Sequence, residues 1–151
     1  AWRFASTAVR EAQTAAAQWR DAHQQACQQG DLATQRKDAR TLASVVAAWS
    51  FARDDHYLQF VAQSEDWEPG FRTSCAEMKE ALGKRDVGVL RHHLSCWRFW
   101  REDEVRLEAA GFVAELGEVY DRLVGQIRDG TRTLHIASLR EAVTQWNFSP
   151  D

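Results

Sequence analysis

The sequence predicts an all-α fold. Only two prolines, Pro69 and Pro150, occur in 151 residues, and Ala, Gln, Glu, Leu and Arg, which favour helices, dominate the chain. Apolar residues recur three or four positions apart, as on one face of a helix, and the alternation typical of strands is nearly absent. We predict about seven helices, with three antiparallel helical hairpins stacked as a short irregular helical-repeat or bundle domain over residues 1–151.

The first predicted hairpin covers about residues 1–52. Its first helix carries one apolar stripe, formed by Trp2, Ala5, Val9, Ala12, Ala16, Trp19, His23 and Ala26. Gly30 is a typical residue at a helix end, and Asp31 is a typical cap for the next helix. The stripe of that second helix is formed by Ala39, Leu42, Val46 and Trp49.

Residues 53–69 are predicted to be a connector. Asp54 and Asp55 can cap a short helix that continues through residue 61. Residues 64–70 are expected to form a loop, because Pro69 favours the first position of a helix.

The other two predicted hairpins cover about residues 70–110 and 112–147. Gly83 separates the helices of the second hairpin, and Asp86 caps a helix with the stripe Val87, Leu90, Leu94 and Trp97. A turn at 129–130 separates the third pair, whose stripes are Phe112, Leu116, Val119, Leu123 and Ile127, then Ile136, Leu139, Val143 and Trp146. The breaks at Gly30, Gly83 and Gly130 lie 53 and 47 residues apart, which indicates an irregular repeat.

Composition narrows the classes of function. The net charge of −3, from 19 basic and 22 acidic residues, argues against nucleic acid as a partner. Three cysteines, an odd number, favour a reducing intracellular compartment over a disulfide framework. The longest apolar candidate, residues 42–49, is too short for a membrane span. The chain begins at Ala1, and its first ten residues contain Arg3 and Arg10 but no acid, as expected for a processed import sequence or a trimmed chain. The mitochondrial matrix is one compartment that would fit.

Two histidine–cysteine pairs, His23 with Cys27 and His92 with Cys96, have the spacing of neighbours on one helix face. If two such helices faced each other, they could supply a His2Cys2 zinc site. Ordinary core packing explains the same spacing, because cysteine is a common buried residue and His23 lies in an apolar stripe. We therefore predict no metal site.

No catalytic centre or cofactor site is predicted either. Asp54, Asp55, His56 and Tyr57 contain acids and bases, but adjacent residues on a helix point in different directions. The same objection applies to the adjacent histidines 92 and 93. Since no phosphate-binding loop or hydrolase motif occurs, the chain is not expected to be an enzyme.

The segment 91–106, predicted to be helical, is rich in aromatic residues and arginine. We predict a protein interface formed by Arg91, Trp97, Arg98, Phe99, Trp100 and Arg101, because Trp and Arg are enriched at binding hot spots. The alternative is a central helix packed on both sides, with surface ion pairs of Glu102 to Arg98 and Arg106. Arginine on phosphates and Trp stacked on bases could also bind nucleic acid, although the acids at 102–104 would repel a phosphate backbone.

The segments QQGDLATQRKDARTLASVVAAW and ALGKRDVGVLRHHLSCWRFW resemble the glycine turn and second helix of tetratricopeptide and pentatricopeptide repeats. The strict period of those families and the first-helix tetratricopeptide pattern are missing. In size, hairpins and acid-free start, the chain is also similar to the pentatricopeptide-like accessory subunits of mitochondrial ATP synthase in euglenozoan protists. The resemblance implies a binding scaffold; pentatricopeptide arrays bind single-stranded RNA.

We therefore expect a non-catalytic accessory or scaffolding subunit that docks onto other protein subunits of a larger assembly, such as mitochondrial ATP synthase. One alternative is a free-standing helical regulator that binds a small ligand or a partner in a bundle pocket. A second alternative is an RNA-binding helical-repeat protein. These three functions require different surfaces: an apolar patch, an enclosed pocket or a basic groove.

Overall fold

The computed structural model describes the backbone of residues 2–149 and the side chains of residues 7–149. Over that range the secondary structure is entirely helical, which confirms the all-α prediction, with six helices rather than seven. They are α1 (Trp2–Arg36), α2 (Ala39–Ala48), α3 (Asp55–Lys84), α4 (Val87–Cys96), α5 (Glu104–Thr133) and α6 (Ile136–Gln145). Within the described residues, no helix is both long enough and apolar enough to cross a membrane.

Long and short helices alternate along the chain. The long helices have 35, 30 and 30 residues, and each is followed by a helix of 10 residues. Two residues join each long helix to the short helix that follows, and the first of them is left-handed, with φ of 58° at Lys37, 56° at Arg85 and 53° at Leu134. The second residue caps the short helix: the side chains of Asp38, Asp86 and His135 accept hydrogen bonds from backbone N–H groups.

The predicted glycine breaks are wrong, because Gly30, Gly83 and Gly130 all lie inside long helices. A Cβ atom at Gly30 would lie 2.8 Å from Cδ2 of Phe60 and overlap Cε2 and Cζ of the same ring, whereas one at Gly130 would lie 2.9 Å from Cγ of Leu139. These two glycines therefore allow close packing rather than a turn. Asp31 is likewise inside α1, and Asp38 is the cap of α2.

The predicted connector at 53–69 is also wrong, because most of it belongs to the continuous helix α3, with Pro69 inside. A proline in a helix interior removes one backbone hydrogen bond and costs about 3 kcal/mol. Trp67 and Phe71 flank Pro69, and each packs against other apolar or aromatic residues, which offsets this cost. Gly111 similarly lies within α5, and the helix predicted at 91–106 ends at Cys96.

The chain divides into two compact units, residues 1–69 and 70–151, with the boundary inside α3. The prediction of one domain over 1–151 stays a prediction. In the first unit the buried core consists of Ala33 of α1, Leu42 and Val45 of α2, and Phe60 of α3. The short helix α2 thus lies between the end of one long helix and the beginning of the next.

The second unit repeats this arrangement around α4. Its buried core consists of Met78 and Ala81 of α3, Leu90 of α4, and Val105 and Ala109 of α5. The predicted stripes on the two short helices are correct at their centres, because Leu42 and Leu90 are both fully buried. In α6, which follows α5, Leu139 packs against Gly130.

Candidate functional site: a recurring aromatic turn

Each short helix ends in the same turn, which we call the W-x-F turn (residues 49–52, 97–100 and 146–149). A tryptophan with extended backbone ends the helix, and a phenylalanine follows two residues later. The indole Nε1 of Trp49, Trp97 and Trp146 donates a hydrogen bond to the carbonyl three residues ahead, at 3.1, 3.0 and 3.1 Å. The tryptophan therefore closes its own turn.

A third ring from the preceding long helix packs on each turn. This ring belongs to His23, Phe71 or Tyr120, and its centroid lies 5.1 to 6.1 Å from the Trp and Phe centroids of the turn. Most of these pairs are edge-to-face, which aromatic rings favour. The same position thus accepts an imidazole, a phenyl ring or a phenol.

Sequence reasoning missed this turn although a signal was present. Tryptophan followed two positions later by phenylalanine occurs at residues 49, 97 and 146, and also at residue 2. These positions are 47, 48 and 49 residues apart, a more regular spacing than that of the glycines. Trp2, Ala5 and the other residues before Thr7 lie outside the described side chains.

The second W-x-F turn contains four of the six residues predicted to form an interface, and a fifth, Arg101, follows it directly. Trp97 is half-buried and packs against the core of the second unit, and Phe99 contacts Phe71 at 5.2 Å between ring centroids. These two rings therefore stabilise the fold itself. Trp100 is half-buried, whereas Arg98 and Arg101 are exposed.

Arg91, the sixth predicted interface residue, lies on α4 and binds α5. Its guanidinium donates to both carboxylate oxygens of Asp121, at 2.6 and 2.8 Å, and to the carbonyl of Gly117 at 3.3 Å. The hydrogen bonds with Asp121 raise the pKa of Arg91, and they lower the pKa of Asp121. Arg91 therefore joins two helices of the same unit.

The surface ion pairs predicted for Glu102 do not have the helical geometry that they require. Residues 97–103 lie between α4 and α5, so positions four apart are not neighbours on a helix face. Arg106 instead donates to the backbone carbonyl of Arg101 at 2.8 Å. Asp103 is buried and caps α5 by accepting from the N–H of Val105 at 3.0 Å.

His23, Cys27 and Asp54 meet in the first unit, but in a geometry unsuited to nucleophilic catalysis. Nε2 of His23 lies 2.7 Å from Oδ2 of Asp54 and 3.7 Å from Sγ of Cys27. A catalytic triad needs the acid and the nucleophile on opposite ring nitrogens, whereas here both approach the same one. Burial, with Asp54 and Asp31 nearby, raises the pKa of Cys27, which keeps the thiol protonated.

Asp54 has a structural role that explains its position. Its carboxylate accepts a hydrogen bond from the backbone N–H of Tyr57 at 3.0 Å, which caps α3 as the sequence predicted. This bond, together with His23, lowers the pKa of Asp54. The hydrogen bond between Asp54 and His23 also connects α1 to the start of α3.

The second histidine–cysteine pair lies in the other unit. Sγ of Cys96 is 3.9 Å from Nε2 of His92, and both side chains are exposed. Within the described part of the chain, no three or more His, Cys, Asp or Glu side chains are grouped as a metal site would require.

Two surface depressions bear on the small-ligand alternative. The first has a volume of about 600 Å³ and is lined by Asp31, Thr34, Gln35, Gln59, Phe60, Ala62 and Gln63. The second, of about 410 Å³, lies along α5 and the start of α6 and includes Gln126. The Oγ1 atom of Thr34 and the Oε1 atom of Gln126 are both buried without a hydrogen-bond partner.

No known protein family, curated protein or solved structure matches this chain.

Proposed function

We propose that the chain is a non-catalytic helical-repeat scaffold that acts as an accessory subunit of a larger protein assembly. A repeat architecture is supported by one order of features that occurs three times. This order is a long helix, a left-handed residue, a cap, a short helix and an aromatic turn. Repeats of this kind offer extended surfaces, which commonly bind other proteins.

The observation that carries the proposal is a difference between the W-x-F turns. Arg98 and Trp100 occupy positions where the first turn has Ser50 and Ala52. The third turn has Asn147 and Ser149 there, so the turn itself needs neither a charge nor a third large ring. Trp and Arg at two positions that the other two turns fill with small side chains are typical of a binding hot spot.

The charge around this surface favours a protein partner over a nucleic acid. Arg98 and Arg101 are exposed, but so are Glu102 and Glu104, which follow directly. Alternating charges at short distance suit a protein surface of mixed charge, whereas a phosphate backbone would be repelled by the two acids. Mitochondrial ATP synthase, to whose accessory subunits the chain is similar in size, is the assembly we propose first.

The test is a gentle pull-down of the tagged protein from its native cell, with mass spectrometry of the proteins that co-purify. The variant Arg98→Ser, Trp100→Ala converts the second turn to the residues of the first and should keep the fold. The matched control, Asn147→Ser with Ser149→Ala, makes the same change in the third turn. Circular dichroism should show equal helicity for all three proteins.

We expect a fixed set of partners that the second-turn variant loses and the control retains. ATP synthase subunits among them would identify the assembly. Recovery of the protein alone, or equal recovery of partners with both variants, would contradict the proposal. Such a result would favour a small-ligand regulator, for which the depression beside the unpartnered Thr34 hydroxyl is the candidate site.

A further inference from the structure

The last short helix, α6, exposes an apolar face, whereas the equivalent faces of α2 and α4 are buried. Ile136 and Val143 of α6 are each 64% exposed. The residues at the position of Ile136 in the other short helices, Ala39 and Val87, are 6% and 0% exposed. Leu139 is half-buried, whereas Leu42 and Leu90 at the same position are fully buried.

The packing of α2 and α4 shows which kind of segment buries this face of a short helix. The beginning of α3 places Phe60 against Leu42 and Val45 of α2. In the second unit, the beginning of α5 places Val105 and Ala109 against Leu90 of α4. A short helix is therefore covered by the first turns of a long helix.

Residues 8–19 of α1, which correspond in position to the beginnings of α3 and α5, are unburied. Phe60 and Ala109 each precede the left-handed residue of their hairpin by 25 positions, and the residue 25 positions before Lys37 is Ala12. All residues from 8 to 22 are exposed, including Val9 at 55% and Trp19 at 57%. The segment contains the apolar residues Ala8, Val9, Ala12, Ala15, Ala16 and Trp19.

We propose that these two surfaces bind each other between copies of the chain, so that residues 8–19 of one copy cover α6 of another. The contact repeats the packing of α3 on α2 and of α5 on α4, with Ala12 in the place of Ala109. A small residue is suitable there, since Ala109 packs fully buried against the core of α4. Because the two surfaces differ, a pair of copies still has one free surface of each kind, and further copies can add head-to-tail.

This inference is independent of the proposed accessory function. It uses α1 and α6, whereas that function uses the second W-x-F turn. Substitutions that abolish binding to an assembly partner should leave self-association unchanged. Substitutions that abolish self-association should leave binding to the partner unchanged.

The experiment is sedimentation equilibrium of the purified chain from about 1 to 300 μM, a range that detects micromolar association. One variant, Ile136→Glu with Val143→Glu, blocks α6. The other, Ala12→Glu with Ala16→Glu, blocks α1. All four side chains are exposed, so the fold should be kept, and Leu107→Glu, at a residue 51% exposed on α5, is the matched control.

We expect the average mass of the wild type and of the control to rise with concentration beyond that of a dimer. Each blocked variant alone should stay at the monomer mass of 17.2 kDa. An equimolar mixture of the two should reach about twice that mass and no more, because each protein keeps one of the two different surfaces.

Three results would overturn the inference. The wild type could remain monomeric at the highest concentration, or the mixture could fail to form the dimer. Association of the α1-blocked variant alone would show that α6 pairs with itself instead.

Discussion

Gly30→Ala should destabilise the protein, although alanine is the better helix former. Gly30 lies inside α1 and is buried against Phe60. The replacement would gain about 1 kcal/mol of helix propensity. The new Cβ atom would overlap three atoms of a ring that is only 3% exposed and is surrounded by Leu42 and Val45, so the ring has little room to move.

Overpacking of this kind costs about 1 to 3 kcal/mol, and the close overlap favours the upper end of that range. The net loss in free energy of unfolding should therefore be about 2 kcal/mol. Gly111→Ala is the matched control. Gly111 lies away from both ends of α5 and is exposed to solvent, and an added Cβ atom would meet nothing within 4 Å. It should gain about 1 kcal/mol.

Urea denaturation followed by far-ultraviolet circular dichroism measures both changes. The two identical substitutions should differ by about 3 kcal/mol, which is a clear shift of the midpoint. Adding Phe60→Leu to Gly30→Ala should recover part of the loss, since it removes the obstructing ring edge. If Gly30→Ala proved as stabilising as the control, the packing argument would be refuted.

Three further predictions concern single side chains. Leu134→Gly should raise stability by about 1 kcal/mol in thermal unfolding, because Leu134 is left-handed and 81% exposed; an unchanged midpoint would contradict this. Asp54→Asn should be less stable than the wild type near neutral pH. Since folding lowers the pKa of Asp54, the wild type is the more stable protein above the ordinary pKa of about 4, and this difference is lost as pH falls through the folded pKa. A difference in stability that does not change with pH would contradict this prediction. With the other two cysteines replaced, Cys27 should react with iodoacetamide more slowly than a free thiol, and Asp54→Asn should speed the reaction; equal rates would exclude the proposed effect of the carboxylate.

Local rules predicted much of the short helices. The sequence predicts that Asp86 caps a helix, and its carboxylate accepts from the N–H of Val89 at 2.9 Å. The expected apolar stripes of α2 and α4 place Leu42 and Leu90 in the two cores. Capping and periodicity succeed here because both depend on residues within one or two turns.

The ends of the long helices could not be predicted in this way. Glycine usually marks a helix end, but Gly30 and Gly130 are needed for contacts with residues 30 and 9 positions further along the chain. The left-handed positions are instead taken by lysine, arginine and leucine, for which local propensity gives no indication. The loop predicted around Pro69 is wrong for the same reason, because packing on both sides of this proline outweighs the lost hydrogen bond.

Composition alone suggested the candidate site, and its partner contacts stay a prediction. Trp97, Phe99 and Arg91, which belong to the predicted interface, also hold their own unit together, and no pattern in the sequence indicated this role. Only a comparison of the three turns separates Arg98 and Trp100 from the residues that the turn requires.

The indole hydrogen bonds of the W-x-F turns give the protein three local reporters of its own dynamics. Each N–H of Trp49, Trp97 and Trp146 is tied to a carbonyl within the same turn, so its proton can exchange with solvent only when that turn opens. Indole N–H resonances are well separated from the backbone signals in nuclear magnetic resonance spectra. Their exchange rates would therefore give the opening free energy of each turn separately, without any label or substitution.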